Sequence, residues 1–130
     1  MTLRHGSDIT IISSGLLVGE SLKAADLLAQ QGIHARVIDM FTWKPLDRDL
    51  IINCAKETGA IVLAENHQLA SGLGHSVAAV VAETCPVPMG FIGAKDCFGE
   101  VGDLPYLLKT FEMRDVDIVA KVMETIKRKL

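Results

Sequence analysis

Glu65 and His67 are the side chains whose type and spacing come nearest to a chemical signature. They follow directly on an apolar run, Ala60-Ile61-Val62-Leu63-Ala64, and precede a small-residue turn, Ser71-Gly72-Leu73-Gly74. A carboxylate beside an imidazole can carry a proton to or from a reacting group. No nucleophile or oxyanion donor is identifiable beside them. No third metal ligand is evident either, so the pattern proposes no metal. The plain alternative is a loop that hydrogen-bonds to cap the sheet and the next helix. Substrate contact, a domain interface and loop structure all stay open for Glu65, His67, Gly72 and Gly74.

Two other stretches carry candidate site residues. Gly93–Gly102, GAKDCFGEVG, reads as a tightly folded glycine loop. Its Asp96 and Phe98, with Gly99 and Gly102, either dock a neighbouring domain or serve the loop itself, Phe98 plugging the core and Asp96 binding backbone amides. The single tryptophan, Trp43, sits beside Lys44 and Pro45, just ahead of Asp47. It is a candidate interface anchor, since aromatic side chains favour interface cores, or a cover for the sheet edge. Lys44 and Asp47 join it as interface candidates.

The elements that position these residues follow from hydrophobic periodicity. Asp8–Ser13, Ala35–Ile38, Ala60–Ala64 and Met89–Ile92 are short β-branched or apolar runs, hence buried strands. Thr2-Leu3-Arg4 is a candidate antiparallel edge strand turned at His5-Gly6. Glu65 and His67 then fall in a polar loop just past a strand's last residue. Helical spacing appears at Val18, Leu22, Ala25, Leu28 and Ala29, closed by Gly32 as a C′ glycine. It appears again over Arg48–Thr58, with Asp47 as N-cap, Leu50, Ile51, Cys54 and Ala55 inward, and Gly59 at the end. A third helix shows Leu73, Val77, Val80, Val81 and Thr84 on one side. Alanines fill its other side, which predicts cover on two faces. Asp103 caps a short helix through Lys109. A last helix begins near Asp115, with Val119, Val122, Met123 and Ile126 inward and Lys127-Arg128-Lys129 at its negative end. Strand and helix alternate, which implies right-handed crossovers. The expected fold is a three-layer α/β/α domain over residues 1–130, with a mainly parallel sheet of about five strands. Ligands of such sheets gather at the carboxyl ends of the strands.

Bulk properties narrow the classes. With 130 residues and 49% hydrophobic content, the chain fits one folded domain. A net charge of −3 without a basic stripe argues against nucleic acid. Cys54, Cys85 and Cys97 are odd in number and lack a C-x-x-C pair, so neither a disulfide framework nor zinc is indicated. A reducing, cytoplasmic setting is expected. No apolar run reaches membrane-spanning length, and no signal peptide is evident. Gly15 and Gly19 do not complete a dinucleotide fingerprint. An anion at the first helix's amino terminus, near Leu17, remains a lesser reading.

Three motifs in order carry a resemblance: Asp39-Met40 with Lys44-Pro45-Leu46-Asp47, then Glu65-Asn66-His67 with Gly72-Leu73-Gly74, then Asp96-Cys97-Phe98-Gly99-Glu100-Val101-Gly102. Nearly the whole chain resembles the C-terminal domain of transketolases, above all the C-terminal section of transketolases split into two polypeptides. The wider superfamily includes deoxyxylulose-phosphate synthases and the beta subunits of 2-oxo acid dehydrogenases. An assembly or anion-binding domain of one of those is the alternative. The resemblance implies transfer of a two-carbon ketol unit between sugar phosphates of the pentose-phosphate type. It implies thiamine diphosphate with Mg2+ or Ca2+ in the complete enzyme, held by pyrophosphate- and pyrimidine-binding domains that this chain lacks. The chain alone is then expected to bind no cofactor and to be inactive. Its implied roles are packing against the pyrimidine domain and building a homodimer. A binding or assembly module without any catalytic residue is the rival reading.

Overall fold

Five strands make one sheet, in the order β1-β3-β2-β4-β5. They are β1 (Thr2–Arg4), β2 (Ile9–Ser13), β3 (Ala35–Asp39), β4 (Ile61–Gln68) and β5 (Met89–Ala94). The structure is a computed structural model and describes residues 1–40, 46–68, 73–94, 109 and 112–129. β2 pairs in parallel with both β3 and β4, β4 pairs in parallel with β5, and β1 is the antiparallel edge on β3. The helices are α1 (Leu17–Ala29), α2 (Arg48–Thr58), α3 (Leu73–Thr84) and α4 (Asp115–Ile126).

β2 is buried along its whole length because helices cover both faces of the sheet. Its side chains therefore feed two cores in alternation. Ile9 and Ile11, with Val37 and Val62, pack under Leu28 of α1 and Ile118 and Val122 of α4. Ile12, Ile38, Ile61 and Leu63 pack under Ile51 and Cys54 of α2 and Val77 and Val81 of α3. Each fully buried leucine or isoleucine stabilises the fold by about 1.5–3 kcal/mol relative to exposure. The expected three-layer architecture is the observed one, edge strand included.

Helix ends follow their sequence signals. The Asp47 carboxylate accepts a hydrogen bond from the Leu50 amide at 3.2 Å, and Gly59 closes α2 at φ +72°. Gly32 takes φ +80° after α1, and the Gly32 and Ile33 amides return to the Ala29 and Leu28 carbonyls. That pairing satisfies the last carbonyls of the helix.

Four details differ from expectation. The buried stripe of α1 is Leu17, Ser21, Ala24, Ala25 and Leu28, so Val18, Leu22 and Ala29 sit at its margins. The true stripe contains a serine and was masked by small residues. In α3, Val77, Val80 and Val81 are buried but Ala79, Ala82 and Thr84 are exposed, so cover comes from one side. The buried stripe of α4 runs through Ile118, Val122 and Thr125, with Val119, Met123 and Ile126 packed at its edge. Finally, β4 does not stop at Ala64 but continues through Gln68, with an irregular register against β5 between Ala64 and Gln68. The expected short helix from Asp103 falls outside the described residues, except for Lys109, which is helical.

Candidate functional site

The sheet order reverses between β2 and β4, since the chain leaves β2 for β3 on one side and returns to β4 on the other. In open α/β sheets the carboxyl ends at such a reversal are the usual ligand position. Here the two strands stay joined to their tips: the Ser14 amide donates to the Ala64 carbonyl at 3.2 Å. Glu65 comes next in β4 and is 1% exposed. Its Oε1 accepts a hydrogen bond from the Gly74 amide at 3.1 Å. Gly74 is the second residue of α3, so its amide has no partner within the helix. The carboxylate thus meets the positive end of the helix dipole. A buried charge persists only when it is paired or hydrogen-bonded, and this bond contributes to that.

Gly74 sits close against two side chains. A Cβ at this position would lie 3.0 Å from Phe91 Cδ1 and 3.6 Å from Glu65 Oε1. The glycine lets α3 begin close enough to β4 and β5 for the carboxylate to reach its amide. Glu65 and Gly74, nine residues apart, are therefore brought together, whereas Asp47 lies at the head of α2 as its cap. His67 lies within β4 rather than beyond it, because the strand is longer than its apolar run. The His67 imidazole, Gly72, Trp43, Lys44, Asp96, Phe98, Gly99 and Gly102 lie outside the described residues.

One contact had no local signal in the sequence. Glu20 Oε1, in the first turn of α1, accepts from the Asp115 amide at 3.0 Å across 95 positions of sequence. Glu20 also pairs with Lys23 at 2.8 Å, and that hydrogen bond holds the Lys23 ammonium above the ordinary lysine range. Neither residue type nor spacing announces a bond between two helix starts so far apart.

The chemistry open to this arrangement is limited. Among the described residues no three His, Cys, Asp or Glu side chains gather to hold a metal. A phosphate at the amino terminus of α3 would have to displace the Glu65 carboxylate and overcome its charge. These residues therefore do not fit a diphosphate–metal cofactor. Two clefts in the described part are lined by other residues than Glu65. One lies between β5 and α4, beside Phe91, Asp117 and Lys121. The other lies beside His5, Arg36 and Glu57.

A family model described as "Transketolase, C-terminal domain" matches residues 1–118. The chain belongs to this family. It is 44% identical over 127 residues to the 6-deoxy-6-sulfo-D-fructose transketolase subunit SqwH of Clostridium sp. (strain MSTE9), a match covering 98% of this chain and 39% of that protein. It is 37% identical over 129 residues to the 1-deoxy-D-xylulose-5-phosphate synthase of Desulforudis audaxviator (strain MP104C), covering 98% of this chain and 20% of that protein. Among solved structures, a split-gene transketolase described as an inactive beta4 tetramer superimposes with a TM-score of 0.93 at 39% identity, covering 100% of this chain and 42% of that one. The transketolase C-terminal domain thus spans about two-fifths of the split-transketolase relatives it matches.

Proposed function

We propose that this chain is the C-terminal domain of a transketolase-like enzyme that transfers a two-carbon ketol unit between sugar phosphates. The observation that carries the reading is a 44% identical match, over 98% of the chain, to a protein named as a transketolase subunit. Thiamine diphosphate and its metal belong to the pyrophosphate- and pyrimidine-binding domains, outside this chain. The anchoring of Glu65 to a helix amide supports a structural part for that residue. The segment from Glu65 to Gly74, with His67 and Gly72, the stretch from Asp96 to Gly102, and Trp43, Lys44 and Asp47 serve as contacts to the other domains. The domain also helps to hold two copies of the enzyme together, as a homodimer. The structural relative's description as an inactive tetramer agrees with a subunit that needs another part for turnover.

The test is reconstitution. The purified chain is mixed with the missing domains, thiamine diphosphate and Mg2+, and ketol transfer from a ketose phosphate is followed. Turnover by the mixture but not by either part is expected. Absence of turnover from a folded, assembled mixture would overturn the reading.

A further inference from the structure

The edge strand β1 ends at Arg4, which pairs with Val37. On its outer side the preceding residue of β3, Arg36, therefore meets Gly6 rather than a strand: its Nε donates to the Gly6 carbonyl at 3.1 Å. A cleft of about 300 Å³ lies here, between this edge of the sheet and α2. Its lining includes Thr2, His5, Arg36, Leu50, Asn53 and Glu57. Leu50, Asn53 and Glu57 are spaced three and four apart, so they share one face of α2. The Arg36 side chain is 16% exposed and is held from two sides. Besides the bond to Gly6, its Nη1 donates to the Glu57 carboxylate at 2.8 Å and to Cys54 Sγ at 3.9 Å. Its Nη2 makes no hydrogen bond to a described residue.

We propose that this cleft binds a small hydroxylated anion, whose phosphate or carboxylate is taken by Arg36 Nη2 and whose hydroxyls are taken by the polar side chains around it. Arginine is always charged, and its planar fork suits phosphate and carboxylate oxygens. Because Nε and Nη1 are already tied down, little further ordering of the guanidinium opposes binding. Glu57 decides that the ligand is more than a bare anion. Its carboxylate lies 2.8 Å from Nη1 and is 59% exposed, so it repels an ion that offers no donor and accepts from a hydroxyl. Thr2, His5 and Asn53 carry groups that both donate and accept, as hydroxyl partners must. The volume stands at the low end of small-molecule sites, which suits a molecule the size of one sugar. Phosphate and carboxylate are two sources of the same chemistry. These residues belong to the β1 edge, β3 and α2, whereas Glu65 belongs to β4, so binding here is independent of the function proposed above.

The test is a calorimetric titration of the purified chain, with the side-chain amide signal of Asn53 followed in parallel by NMR. The probes are D-glucose 6-phosphate and D-gluconate, with inorganic phosphate and D-glucose as their separate halves. At least one of the two whole probes is expected to bind at about 1 mM or tighter, a range suited to so small a ligand, and to shift the Asn53 signal. Which of them binds names the anionic group. Replacing Arg36 would also cut its ties to Gly6 and Glu57, so the variant of choice is Asn53→Glu. That position is exposed on α2, and the new carboxylate competes for Nη2 without disturbing the core. Binding should weaken at least about tenfold, the loss of a charge-assisted contact, with an unchanged melt. Gln30→Glu, exposed just past α1, makes the same change in net charge and should bind like wild type. Three results would overturn the proposal. One is no heat and no shift with either whole probe up to about 10 mM, beyond any specific affinity for this class. Another is inorganic phosphate or D-glucose binding as tightly as the whole probe. The third is binding that Asn53→Glu leaves untouched.

Discussion

The two ends of the sheet are built on different principles. The amino end is stitched shut by side chains bonding to backbone. Asp8 Oδ2 accepts from the His34 amide at 2.7 Å, and Lys129 donates to the Asp8 carbonyl. Arg36 Nε donates to the Gly6 carbonyl at 3.1 Å while its Nη1 pairs with Glu57 at 2.8 Å. Thr58 Oγ1, buried, bridges the Cys54 and Ala60 carbonyls. The described residues of the carboxyl end hold fewer such ties between elements, chiefly Glu65 to α3 and Glu20 to α4, beside exposed Leu16 and Val116. Among the described residues, side-chain ties close the amino end, whereas Leu16 and Val116 stay exposed at the carboxyl end. This division is common where strands present loops at their carboxyl ends, because those loops can vary without disturbing the core.

Substitutions can break or sharpen the contrast. Gly6→Ala strikes the closed end hardest, since its Cβ would sit 2.5 Å from the His34 oxygen and the Ala35 carbonyl carbon, both backbone. A loss of about 3 kcal/mol is expected in urea unfolding, the upper range for an overpacked site. Gly90→Ala forces a Cβ into Thr125 Oγ1 and to 2.9 Å from Lys121 Cγ, where α4 crosses β5. The long lysine can move but the buried threonine cannot, so about 2 kcal/mol is expected by the same measure. Glu65→Ala strands the Gly74 amide and should cost roughly 1–3 kcal/mol, the range for an unsatisfied buried donor. Glu65→Gln keeps an acceptor and should recover much of that. If Glu65→Gln folds like wild type yet stops turnover in the assembled enzyme, the carboxylate is more than a helix anchor. Asp47→Ala removes a cap worth about 1 kcal/mol, readable as a lower melting temperature. The smallest effect belongs to Lys23. Its folded pKa is raised, so its contribution is complete below the unfolded lysine pKa and fades as pH rises through the folded value. Lys23→Gln should flatten that alkaline slope in pH-dependent melts.

Legibility in the sequence tracked distance along the chain. α2 could be bounded to the residue because Asp47 and Gly59 are local signals with local causes. The strands were legible from their β-branched runs, and the edge strand from its position ahead of β2. The length of β4 was not, since Glu65 and His67 look like loop residues until pairing with β5 carries the strand past them. The phase of α1 slipped because Ser21 is buried while Val18 is not, and only packing against α4 and the sheet decides that.

Composition, periodicity and caps determined that this chain alternates strand and helix around a parallel sheet, because those signals act over a few residues. The tertiary structure alone decided that Glu65 is buried against Gly74, that Glu20 ties two helix starts together, and that Leu16 and Val116 stay exposed beside those starts. Each depends on groups far apart in sequence meeting in space, and on the packing that decides which of them water can still reach.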